Sequence, residues 1–180
     1  MPAWTFYPVF VGTIVSMAGL GRIAVTTHDA AAPKALSELA AAEERLLARF
    51  RNILLLCGTL FAITVFGFIV PRLAHGSLVA VFGALMIGGE LLAAVVPFRG
   101  KTLRPHLLLA HTMGIGMLGL GVSFWVALGG HFAALEAILA LSMAACALLT
   151  VVDKQHYIVY ELAFIFSSHL SIVIAALALT

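Results

Sequence analysis

Five ionisable residues lie inside long apolar stretches of the sequence, where such side chains are rare. They are Glu90, His111, Glu136, Glu161 and His169. Carboxyl and imidazole groups can carry protons, ligate metal ions or hydrogen-bond across helices, and each is costly to place in hydrocarbon. Each of the five is therefore a candidate functional residue.

Three of these residues are expected to share one depth of a membrane. With a rise of about 1.5 Å per residue, Glu90, His111 and Glu161 each lie roughly 8 to 10 Å from the nearer end of their apolar segment. Those three ends are predicted on the same face of the membrane. The spacing thus predicts a buried polar cluster that could carry protons, hold a metal ion or polarise a lipid headgroup.

Glu136 and His169 form a second polar level. They lie about 8 Å and about 15 Å from the opposite face, so contact between them is a looser prediction. A purely structural alternative remains open for all five residues. A buried glutamic acid can stay protonated and donate one interhelical hydrogen bond, and a buried histidine can serve packing alone.

Haem is one cofactor that the histidines could hold. A b-type haem needs two axial histidines at similar depth on facing helices. His111 and His169 differ by about 9 Å in depth, whereas His106 and His156 match in depth only at the membrane interface. A haem- or quinone-linked role is therefore an alternative, with no metal site assigned. The sequence contains neither HExxH nor GxSxG, and we identify no catalytic residue.

The segments that carry these residues are membrane spans. The chain has 180 residues, of which 63% are hydrophobic and only 10% charged, too few polar side chains to cover a water-soluble domain. A span needs about 20 mostly apolar residues. The sequence predicts a single all-α domain of six spans at residues 4–25, 52–70, 77–97, 107–128, 132–152 and 157–179.

Basic residues predict how the spans are oriented. Nine of the ten Lys and Arg residues follow the first, third and fifth spans, and only Arg72 lies on the other side. The positive-inside rule then places both termini outside, in what we expect to be a bacterial inner membrane. The net charge of +2 does not suggest a nucleic-acid partner.

The basic connections are expected to meet lipid headgroups. In the connector 33–50, Leu36, Leu39, Leu46, Leu47 and Phe50 share one helical face, which predicts an amphipathic helix lying in the cytoplasmic interface. After the third span, Arg99, Lys101 and Arg104 are candidate headgroup-binding residues.

Residues 83–121 run GALMIGGELLAAVVPFRGKTLRPHLLLAHTMGIGMLGLG. An apolar helix closes on Pro97-Phe98, His106 or His111 opens the next helix, and Glu161 lies early in the last. This stretch resembles uncharacterised bacterial relatives of the DRAM-like (damage-regulated autophagy modulator) membrane proteins. The resemblance implies a six-span bundle without established catalytic residues and a link to lipid-anchor remodelling and membrane trafficking. It also implies cytoplasmic termini, the reverse of the orientation that the basic residues predict.

Taken together, these features favour a non-enzymatic, lipid-interacting protein or an accessory subunit of a larger membrane assembly. The expected partners are membrane lipids, other membrane proteins or further copies of the chain. The alternatives are a haem- or quinone-linked electron-transfer subunit and a small proton-coupled transporter that uses Glu90, Glu161 and His111.

Overall fold

The regular structure of the described chain is helical throughout. A computed structural model describes residues 3–26, 35–74, 76–96, 98 and 100–180. Short 3-10 turns precede α1, α5 and α7. The α-helices are α1 (Pro8–Thr26), α2 (Leu36–Ala41), α3 (Glu44–Thr64), α4 (Gly76–Val95), α5 (Leu103–Ala127), α6 (Gly130–Val152) and α7 (Tyr157–Ala178).

Six helical segments of the described residues are long and apolar enough to cross a membrane. They include every α-helix except α2. The prediction of an all-α bundle with six spans is thereby confirmed, and the chain is an integral membrane protein. The largest boundary difference is in the second span, which was predicted to begin at residue 52 and whose helix begins at Glu44.

The six long helices form a closed ring in chain order. Each packs against the next, and α7 packs against α1. Because short connections join most of them, neighbours run antiparallel. We call the end of the ring where α1 ends and α3 begins the basic end. It carries Arg22, Arg51, Lys101, Arg104 and Lys154, and Arg72 lies at the opposite end. The assignment of the basic end to the cytoplasm stays a prediction.

Helices α4 and α5 make the closest approach. A Cβ atom added to Gly89 would lie only 2.8 Å from the backbone nitrogen of Met113. A Cβ on Gly116 would collide with the backbone of Met86. Glycine at both positions lets the two backbones touch, as small residues commonly do between membrane helices. Gly89 and Gly116 therefore serve helix packing within the bundle.

Helix α3 continues past Thr64 through a π-helical segment, Val65–Ile69, and a 3-10 turn, Val70–Arg72. Pro71 lacks an amide hydrogen and cannot continue the regular pattern. The Thr5 hydroxyl donates a hydrogen bond to the Gly67 carbonyl oxygen across 3.3 Å. The π-helical segment is therefore hydrogen-bonded to the 3-10 turn that precedes α1.

The predicted connector helix 33–50 is two helices. Residues 33 and 34 lie outside the described residues, α2 ends at Ala41, and Glu43 is extended before α3 begins. Leu36 is 1% exposed and Ala40 is fully buried, so α2 packs inside the basic end. The break lets the apolar sides of α2 and early α3 meet one core cluster, which one straight helix resting on the headgroups would not permit.

Candidate functional site

The predicted cluster of Glu90, His111 and Glu161 does not form as a buried group. His111 is exposed on the outer surface of α5, and its Nδ1 lies 2.6 Å from the Leu107 carbonyl oxygen. Helix α5 turns Gly116 and Leu120 toward its neighbours, and His111 is on the opposite side of the helix because each residue turns it by about 100°. The prediction of a buried His111 is therefore wrong.

Glu161 has a structural partner. Its Oε2 accepts a hydrogen bond from the backbone N–H of Leu36 across 2.8 Å. Leu36 is the first residue of α2, and the first amide groups of a helix have no partner within the helix. Glu161 thus anchors α2 to α7 at the basic end.

Glu90 is buried on its own. It is 2% exposed and faces α3, where a Cβ on Gly58 would lie 3.5 Å from Glu90 Oε2. Within the described residues Oε2 has no hydrogen-bond partner. The neighbouring Cys57 thiol donates to the Gly12 carbonyl oxygen instead.

The second polar level is buried, as its position in the sequence predicted. Glu136 is fully buried, and its Oε2 accepts a hydrogen bond from the Ser171 hydroxyl. His169 lies two residues before Ser171 in α7, only about 3 Å away along the helix axis but about 200° around it. Its ring instead packs against Phe61 of α3, with centroids 4.5 Å apart. The two residues share a depth but face different helices.

His106 forms a hydrogen bond with the backbone just after the C-terminal end of α4. It is 3% exposed, and its Nδ1 lies 2.7 Å from the Val96 carbonyl oxygen. A carbonyl oxygen only accepts hydrogen bonds, so Nδ1 carries the proton and Nε2 is the acceptor of the neutral ring. The Phe98 ring contacts His106 edge-on, with centroids 5.4 Å apart.

A cleft opens beside His106 at the basic end, and we call it the His106 cleft. Its volume is about 310 Å³, and α2, α3, the end of α4 and the start of α5 surround it. Polar groups and aromatic rings line the same space: Ser37, Glu44, Phe50, Arg51, Phe98 and His106. From the sequence, Arg51 was placed only among the basic residues that set orientation, because the connector helix was predicted to end at residue 50 and the second span to begin at residue 52, whereas α3 runs without a break from Glu44.

The remaining candidates occupy separate places. Lys101 and Arg104 are exposed at the basic end, and Arg99 lies outside the described residues. Binding of a headgroup by these residues stays a prediction.

His156, a candidate haem ligand, is exposed and engaged elsewhere. Its Nδ1 lies 2.9 Å from Asp153 Oδ2, which also accepts a hydrogen bond from the Tyr160 hydroxyl. These two bonds lower the pKa of the Asp153 carboxyl below its usual value, with the His156 bond the larger cause.

His156 and His106 lie at the basic end, His169 is mid-span, and His111 points outward. Among the described residues, no three His, Cys, Asp or Glu side chains are grouped to hold a metal ion. A haem between two of these histidines stays the alternative that it was from the sequence, and a reduced-minus-oxidised absorption spectrum would test it.

Known proteins add no further information about this site. Comparison of the chain with known protein families, with curated proteins and with solved structures finds no significant match. The resemblance to DRAM-like proteins is therefore untested by these comparisons and stays a prediction.

Proposed function

We propose that this integral membrane protein is non-catalytic and binds a membrane amphiphile in the His106 cleft. The observation that carries the proposal is the composition of that one cleft. Arg51, Glu44 and His106 supply a cation, an anion and a ring nitrogen, beside the apolar surfaces of Phe50 and Phe98. Ligand sites typically pair an apolar wall with a few polar groups that orient the ligand.

The position of the cleft suits a molecule that is part polar and part apolar. The second span, Glu44–Arg72, has 29 residues and is about 43 Å long, against about 30 Å of hydrocarbon. The first turns of α3 therefore extend beyond the hydrocarbon at the basic end. Glu44 lies in the first turn, whereas Phe50 is buried further in. When the headgroup of an amphiphile binds at the outer part of the cleft, its apolar chain can extend toward the membrane interior.

The polar groups favour a headgroup with both an acceptor and a donor. The Arg51 guanidinium can bind a phosphate oxygen. The Glu44 carboxylate and His106 Nε2 can accept hydrogen bonds from an ammonium or hydroxyl group. We therefore propose a zwitterionic or hydroxylated amphiphile as the ligand class.

Native mass spectrometry of the protein in mild detergent tests this assignment. We expect a zwitterionic phospholipid to remain bound to the unmodified chain and to bind about tenfold more weakly to Arg51→Gln, since a charge-assisted hydrogen bond contributes roughly 1.5 to 3 kcal/mol. Lys154→Gln removes an equal charge from the basic end outside the cleft and should bind as the original does. Equal lipid retention by both variants would contradict the proposal.

A role as an accessory subunit fits the same architecture. Apart from α2, which packs inside the bundle, the described connections are short. Partners would then have to meet the chain largely within the membrane or at its surface. Co-purification from the native membrane tests this role, and an isolated single chain under mild extraction would argue against it.

Proton-linked transport is a second candidate because buried polar atoms lack partners. Within the described chain, Glu136 Oε1, Glu90 Oε2 and both ring nitrogens of His169 have no hydrogen-bond partner. Leaving such groups unpaired costs about 1 to 3 kcal/mol each, and intramembrane ionisable residues commonly mark proton pathways. Liposomes containing a pH-sensitive dye test this function under an imposed potential. We expect proton uptake that Glu136→Gln abolishes and that Glu44→Gln, an exposed control, leaves intact. Uptake equal to that of empty liposomes would refute it.

A further inference from the structure

A second hollow at the basic end lies between α1 and α3, away from the His106 cleft. It consists of two adjoining parts of about 280 Å³ and about 310 Å³. Both parts are lined by Arg22 and Arg49, and Arg45 lines the outer part. We call this hollow the arginine groove. Three guanidinium groups from two helices thus border one space.

The three guanidinium groups lie at the surface of the described part of the chain. Arg22, Arg45 and Arg49 are all exposed, and none of them forms an ion pair or donates a side-chain hydrogen bond within the described residues. Among the described residues that line the groove, Glu43 is the one acidic residue. Three positive charges and one negative charge leave the groove with a net charge of +2.

The deepest end of the groove, beyond Arg22, Arg49 and Asn52, is apolar. The inner part of the groove reaches from Thr26 at the end of α1 to Gly19, which is about 10 Å further along the helix. There Ile53 of α3 packs against α1, and a Cβ on Gly19 would lie 2.9 Å from Ile53 Cγ1. The groove therefore changes from charged to apolar in the direction of the membrane interior.

We propose that the arginine groove binds the phosphate-bearing headgroup of an anionic phospholipid that carries about two negative charges. Guanidinium groups bind phosphate oxygens in pairs of parallel hydrogen bonds, and basic pockets between membrane helices are suited to anionic headgroups. The net charge of the groove matches a phosphomonoester, and its apolar deepest end accommodates the start of an acyl chain. Glu43 at the outer rim disfavours binding of further anions.

This site is independent of the His106 cleft. Arg49 and Arg51 are two residues apart in α3 and so point about 200° apart around the helix. Arg49 borders the arginine groove, whereas Arg51 borders the cleft. The two arginines therefore belong to different sites, and either site can fail without the other.

Binding of phosphatidic acid tests the proposal. The protein is titrated in mixed micelles with phosphatidic acid or phosphatidylcholine, and bound lipid is counted by native mass spectrometry. We expect Arg49→Gln and Arg22→Gln each to weaken phosphatidic acid binding five- to tenfold, because a basic side chain at the membrane surface contributes roughly 1 kcal/mol or more. Lys154→Gln removes an equal charge outside both the arginine groove and the His106 cleft and should leave phosphatidic acid binding unchanged.

Three results would overturn the assignment. One is a loss of phosphatidylcholine binding in Arg49→Gln that equals the loss of phosphatidic acid binding, and another is an equal loss of phosphatidic acid binding for Arg49→Gln and Lys154→Gln. The third is full displacement of the lipid by an equal concentration of inorganic phosphate, which would identify a soluble anion as the ligand. Melting temperatures of all variants are compared first. If Arg49→Gln unfolds, Arg45→Gln at the exposed rim replaces it with the same expected loss.

Discussion

The close packing of α4 on α5 makes a quantitative prediction for two adjacent glycines. Gly89→Ala places a methyl group 2.8 Å from the Met113 backbone nitrogen and 2.9 Å from Met113 Cα, whereas around Gly88 there is nothing within 4 Å. Ordinary contacts begin near 3.4 Å. The two backbones must therefore separate by about 0.6 Å at Gly89, and nothing need move for Gly88→Ala.

The difference between the two variants isolates the packing cost. Overpacking a well-filled interface costs about 1 to 3 kcal/mol, and replacing a helical glycine by alanine gains about 0.5 to 1 kcal/mol. The gain applies to both substitutions and cancels between them. We expect Gly89→Ala to be less stable than Gly88→Ala by about 1 to 3 kcal/mol, with Gly88→Ala at least as stable as the original chain.

Equilibrium unfolding in mixed micelles measures this difference. The detergent is titrated with dodecyl sulfate, the folded fraction is followed by near-ultraviolet circular dichroism, and the midpoints of the three proteins are compared. Equal midpoints for the two variants would falsify the claim that the α4 and α5 backbones touch at Gly89. A lower midpoint for Gly88→Ala alone would reverse the assignment of the facing side of α4.

Three further predictions concern the basic end. Glu161→Ala removes the acceptor of the Leu36 N–H, so amide hydrogen exchange in α2 should accelerate, whereas Glu161→Gln keeps an acceptor and should exchange as the original does. His106→Ala leaves the Val96 carbonyl oxygen without its donor and should lower stability by roughly 1 to 3 kcal/mol, as a drop in melting temperature would show. Asp153→Asn should lower the melting temperature at neutral pH. The pKa of Asp153 is lower in the folded chain, so its stabilisation is complete above the unfolded value of about 3.9 and is lost as pH falls through the folded value. The two melting curves should converge in that acidic range, and a difference independent of pH would contradict this account.

Hydropathy was sufficient to predict the six spans and the burial of Glu90 and Glu136. It could not predict which way His111 points. In a soluble helix the apolar stripe marks the buried side, but the lipid-facing side of a membrane helix is apolar as well. On α5 only small residues distinguish the faces, and Gly114, Gly116, Gly119 and Gly121 lie on several of them. The contacts of α5 with α4 therefore decide which side of α5 faces the bundle.

The sites at the basic end depend on tertiary structure that no local pattern contains. The start of α2 is held by Glu161, which is 125 residues beyond Leu36. The His106 cleft and the arginine groove exist because early α3 stands between α1 on one side and α4 and α5 on the other. The sequence identified the basic residues of these sites, but it could not divide them between two faces of one helix.

The π-helical segment Val65–Ile69 has an implication for tolerance to length changes in the chain. A π turn accommodates one more residue than an α turn, so the helix on either side keeps its angular phase. Deleting one residue within this segment should convert it to a regular α turn and leave Phe61 and Phe68 facing the core. The same deletion one turn earlier would rotate every later side chain of the helix by about 100°. The second span can therefore lose a residue at this one turn and still pack against its neighbours.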